Sequence, residues 1–145
     1  MRYPKVLSLA LAAALLAAAP AHANRQQTTM LWAAMSAAER HWHAVPCGGQ
    51  IAMGTAAALP GGARGFASWD PGPTNCRVTL QARYLRIASA DPRATWPMFC
   101  YLITHEFGHL LGYGHSADPS DVMDPVFDLV NWSNTPSECW PMPRF

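Results

Sequence analysis

From Pro97 to Leu111 the chain reads PMFCYLITHEFGHLL, apolar around almost the whole circumference of a helix, yet it carries two histidines and a glutamate. A helix of that kind belongs in an interior. An interior accepts titratable groups only when something pairs with them. Pro97 suits a first helical position, and the residue before a proline avoids helical geometry, so the helix is expected to open at Pro97 with Trp96 as its cap. At about 100° per residue, His105 and His109 lie within roughly 40° of each other, and Glu106 stands about 100° round from His105. Cys100 falls about 220° from His105, on the side of Phe107 and Leu111, and is expected in the core.

The next histidine, His115, cannot reach this face if the helix continues, because six residues carry it about 9 Å along the axis and to roughly the far side. The helix has to end. Gly112 is suited to the left-handed conformation that terminates a helix and turns the chain. With that turn made, His115 returns as a third nitrogen ligand. Two imidazoles on one face with a neighbouring carboxylate form the H-E-x-x-H arrangement of metal plus base. Three protein nitrogens with a fourth position left for water is the composition of a catalytic zinc site, so one Zn2+ is expected.

The chain has 145 residues, 50% apolar and 13% charged, which fits one compact domain. In its first stretch, Arg2 and Lys5 precede an apolar run from Val6 to Ala19, followed by Ala21-His22-Ala23, the pattern a signal peptidase cuts. The run is short of the ~20 residues needed to cross a bilayer. Residues 1–23 therefore read as a signal peptide and 24–145 as the domain, secreted or periplasmic and free of the membrane once the signal is removed. From Asn24 onward there are eight arginines, nine acids and no lysine. No basic stripe for nucleic acid is visible, and a monomer is expected.

All four cysteines, Cys47, Cys76, Cys100 and Cys139, lie in the exported part, where two disulfides are the default. Three pairings are open. Cys100 on the core face of the histidine helix and Cys139 near the start of a last helix suggest one bridge, leaving Cys47 with Cys76.

The remaining organisation is coarse. Apolar residues recur at helical spacing between Thr28 and Trp42. QIAMGT, GFASW and CRVTLQARYL look like strands, split by LPGGARG and DPGPTN. Thr135-Pro136-Ser137-Glu138 has the form of a capping box opening a last helix. His41 and His43 suit the dipole at the end of the first helix. Asp118, Asp121, Asp124 and Asp128 read as turn and cap residues.

The stretch HEFGHLLGYGHSADPSDVMDP, His105 to Pro125, resembles the HExxHxxGxxH signature and following Met-turn of the metzincin metalloproteases. Ser116 after the third histidine makes it most similar to the matrixins. The resemblance implies an α/β (α+β) zincin domain, a small twisted mixed sheet with an N-terminal helix and an active-site helix. It implies a zinc endopeptidase in which His105, His109 and His115 hold the metal, Glu106 is the general base and Met123 lies under the site. It also implies a peptide or protein substrate laid along a sheet edge, for which GFASW is the candidate, and a pocket walled by Val126 and Phe127. The chain departs from the family in its short length and in the absence of the loops that hold structural calcium and a second zinc, which speaks against calcium. Val45-Pro46-Cys47-Gly48-Gly49 has a faint likeness to the matrixin cysteine switch, but its place after the first helix favours the disulfide role. Asp124 stands where matrixins often have an aromatic residue. The competing reading is a non-catalytic, zinc-stabilised, exported peptide-binding module. Glu106 argues against it, since a binder has no use for a base beside a metal.

Overall fold

The computed structural model describes residues 25–69, 76–127, 132–140 and 142–144. The signal segment, the DPGPTN turn and Asp128 lie outside the described residues. Helix α1 spans Arg25–Trp42, followed by strands β1 (Ile51–Ala56), β2 (Gly65–Trp69) and β3 (Cys76–Gln81). Helices α2 (Ala82–Ala90) and α3 (Pro92–Leu110) complete the regular elements among the described residues, with short 3-10 turns at Pro46–Gly49, Pro60–Gly62 and Ser137–Cys139.

The three strands form one mixed sheet in the order β1-β3-β2. β1 runs parallel to β3, Ile51 opposite Cys76, and β2 runs antiparallel to it, Gly65 opposite Leu80. Among the described residues β2 is therefore an edge strand. This is the α+β arrangement of helices and small mixed sheet expected above.

α1 lies against α3, burying Met30, Ala34, Met35, Ala37 and Ala38. α3 is the central rod: every residue from Phe99 to Gly108 is buried. Val78 and Leu80 of β3 meet it from the sheet side, with Trp96, Phe99, Ile103 and Phe107 in the same cluster. Burying a large apolar side chain contributes roughly 1.5–3 kcal/mol, so α3 organises most of the core energy.

The structure corrects several boundaries of the sequence reading. α3 opens five residues earlier, at Pro92, because the Asp91 carboxylate accepts the Ala94 N–H at 3.1 Å. Trp96 has no oxygen with which to cap and is instead buried, its indole N–H donating to the Cys139 carbonyl at 2.7 Å. Pro97 sits inside the helix. The bond it denies is to the Arg93 carbonyl on an exposed part of the first turns. The third strand is also shorter than CRVTLQARYL: it stops at Gln81, and ARYL begins α2, which turns Leu85 and Ala88 inward at a spacing of three. The expected capping box at Thr135 is a single 3-10 turn, Ser137–Cys139, without a side-chain cap.

Disulfides join Cys47 to Cys76 and Cys100 to Cys139, with Cα atoms 6.2 and 5.9 Å apart. The first ties the segment after α1 to the start of β3; the second ties the tail to the middle of α3. Among the described residues no helix is long and apolar enough to cross a membrane.

Candidate metal centre

One turn apart on α3, His105 and His109 bring their rings to 4.8 Å, centroid to centroid. The helix then stops in a paired bond pattern: Gly112 N–H donates to the His109 carbonyl and Tyr113 N–H to the Gly108 carbonyl, both at 3.0 Å. This is the Schellman ending, and it requires a left-handed residue. Gly112 supplies it with φ +93°. A Cβ on Gly112 would meet nothing within 4 Å, so glycine is needed there for its backbone conformation and not for space.

The turn returns His115 to within 5.3 Å of His105 and 4.9 Å of His109, ring to ring. One potential ligand atom from each of the three imidazoles lies within 4.8 Å of the others. The outer nitrogens of two are committed elsewhere. His105 Nδ1 pairs with the Val122 carbonyl at 2.8 Å and His109 Nδ1 with the Tyr113 carbonyl at 2.9 Å. A carbonyl only accepts, so each Nδ1 carries the proton and each Nε2 presents a lone pair. Burial lowers the His105 pKa, against the Val122 bond and with help from His109 and His115. A neutral imidazole is the form that binds a metal. The donor set therefore fits a divalent ion such as zinc.

Glu106, the next residue on α3, is only 4% exposed. Burial raises its pKa to about 7, against a hydrogen bond from the Ala67 backbone that lowers it. β2 approaches this carboxylate so closely that a Cβ on Gly65 would collide with it. Glycine at 65 is a condition for seating Glu106 under the edge strand.

Met123 is buried, its thioether against Gly108, where any Cβ would strike both Met123 and the Trp42 indole. Its carbonyl accepts the Ser116 N–H at 2.9 Å, so the methionine turn is fastened to the residue after His115. Asp121 accepts the Met123 N–H at 2.8 Å, Asp118 the Ser120 N–H at 2.9 Å and Asp124 the Val126 N–H at 3.0 Å. These acids bracket turns. His41, at the end of α1, pairs with Glu138 at 3.0 Å and takes no part in the histidine cluster.

The three imidazoles and Glu106 open into a cleft of about 650 Å³ between β2 and the 125–127 segment. Phe66 and Ala67 form one side, Val126 and Phe127 the other, with Tyr101 deeper on α3. Tyr101 donates its hydroxyl to the Asp124 carbonyl and rests its ring on Phe127 at 4.8 Å. Sequence reasoning missed Tyr101, Gly65, Trp42 and the Val122 and Tyr113 carbonyls. Tyr101 lies one helical turn before His105, which was a signal available in the spacing; the carbonyls have no side-chain signature at all.

The sequence profile of the matrixin family matches residues 22–137. The chain belongs to the matrixins. A 29-residue stretch is 59% identical to matrilysin of Homo sapiens, covering 20% of this chain and 11% of matrilysin. No solved structure matches this chain. Matrixins are zinc metalloendopeptidases that act on proteins, and the cluster of His105, His109 and His115 in this matrixin is placed to hold a metal ion.

Proposed function

We propose that this matrixin is an exported zinc endopeptidase, residues 1–23 directing export and residues 24–145 forming the catalytic domain. His105, His109 and His115 would hold one zinc, His105 and His109 through the Nε2 that their Nδ1 hydrogen bonds leave free, and Glu106 would move the proton. When bound, the zinc supplies a Lewis acid that acidifies water and polarises a peptide carbonyl. The Glu106 carboxylate takes the proton of the attacking water and later delivers it to the leaving amine. An extended peptide adds to the free edge of β2, and the side chain after the cut enters between Tyr101, Val126 and Phe127.

The observation that carries this reading is a buried carboxylate beside three converged imidazoles, at the inner end of an open cleft. The test is cleavage of an unstructured protein such as casein by the purified, oxidised domain, with Glu106→Gln alongside. Wild type is expected to cut and to stop on chelation; Glu106→Gln is expected to keep its zinc and lose at least about 100-fold in rate. A Glu106→Gln variant that cuts as fast as wild type removes the proposed mechanism. Zinc binding without cutting of any substrate in a broad panel favours the binding module.

A further inference from the structure

Between the end of α3 and His115 the chain reads Gly112-Tyr113-Gly114. Two of these three residues have no side chain, and their backbone is the least restrained a chain offers. A ligand at the end of such a segment is loosely placed unless the segment is held, and loose placement weakens metal binding by the entropy of ordering it. His115 is itself exposed. The far end of the segment is held by the Ser116 N–H bond to the Met123 carbonyl, and within the turn itself the only side chain able to hold it is that of Tyr113.

Tyr113 is held from another element. Its ring stacks on the indole of Trp42, centroids 4.7 Å apart and planes 20° from parallel. Trp42, the last residue of α1, is fixed in turn: its indole N–H donates to the Thr104 carbonyl at 2.8 Å, the residue before His105, and its edge fills the space that Gly108 leaves open. His41 closes on the indole edge-on at 4.9 Å. The same Tyr113 whose ring is stacked gives its carbonyl to His109 Nδ1 and its N–H to Gly108. One side-chain contact thus bears on two of the three imidazoles, the orientation of His109 and the return of His115.

We infer that the Trp42–Tyr113 stack is a positioning clasp for the metal centre, through which the end of α1 sets the zinc affinity of the three histidines. The inference rests on the reading of the three histidines as ligands and is independent of whether the protein cuts peptides. Tyr113 is 54% exposed, so its ring contributes little to the core, and its removal separates positioning from folding. Trp42→Phe keeps a ring while losing the indole N–H.

The experiment measures zinc affinity by chelator competition and the d–d absorption of the cobalt-substituted protein for wild type, Tyr113→Ala, Tyr113→Phe and Trp42→Phe. Tyr113→Ala is expected to weaken zinc binding by about 10- to 100-fold, the size of effect for residues that support metal ligands, and to alter the cobalt band. Tyr113→Phe restores both, and Trp42→Phe falls between. Melting of the metal-free protein is expected to move little for Tyr113→Ala. Zinc affinity within twofold of wild type and an unchanged cobalt band for Tyr113→Ala overturn the clasp. Failure of wild type itself to take up zinc at micromolar concentration overturns the ligand reading instead, so the two failures are told apart.

Discussion

Glu106 exposes a conflict between folding and chemistry. Burial lifts its pKa from the ordinary carboxylate value to about 7, so in the metal-free protein the fold favours the protonated form. A raised folded pKa contributes stability that is complete below the unfolded value and lost as pH rises through the folded one. The shift corresponds to about 3 kcal/mol at the most. His105 acts in the opposite sense: its lowered pKa costs stability as pH falls. Comparing metal-free wild type with Glu106→Gln cancels the histidine. Denaturant unfolding is expected to show the variant gaining on wild type as pH rises from about 5 to about 7 and levelling off above that; a constant difference would contradict the burial argument. Gly112 poses a second residue-scale question, since its φ of +93° excludes an unstrained side chain. Gly112→Ala is expected to destabilise the domain by about 1 kcal/mol and to weaken zinc uptake, because the turn that returns His115 is the one strained.

Among the elements, α3 bears the heaviest constraint, packed by α1 and β2, bridged at Cys100 and carrying both H-E-x-x-H histidines. Replacing Cys100 and Cys139 together by serine is expected to cost about 2–4 kcal/mol in chemical unfolding, with zinc still taken up by the folded fraction. The spacing that puts His105, Glu106 and His109 together was legible because a helix fixes side-chain direction by arithmetic, and Gly112 by its backbone freedom. α2 was not. In CRVTLQARYL the apolar residues Val78, Leu80, Ala82 and Tyr84 continue a two-residue alternation, and only the burial of Leu85 and Ala88 against α3 reveals the change of period. The helix start was misplaced because Asp91-Pro92 and Trp96-Pro97 both carry the proline signal; the carboxylate that caps decides between them. Contacts that depend on distant elements meeting, such as Trp42 on Tyr113 and Gly65 on Glu106, leave no local pattern to read.

For the molecule as a whole, the core is small, so the two bridges, and a metal ion where one is bound, are expected to carry a large share of its integrity. At a free zinc concentration of 100 Kd, binding adds about 2.7 kcal/mol. Calorimetry with and without chelator is expected to show a clear fall in melting temperature on metal removal, recovered by zinc and not by calcium; recovery by calcium alone would point to a different site. A second property follows from where the bridges fall. Residues 47–76 and 100–139 each form a covalently closed loop, and between them they contain β2, the turn after His109 and the 125–127 wall, which are the borders of the cleft. A single nick by any protease in either loop leaves the severed ends tethered. Protein nicked once within either loop should therefore migrate as one intact band until a thiol is added, and only then fall into fragments.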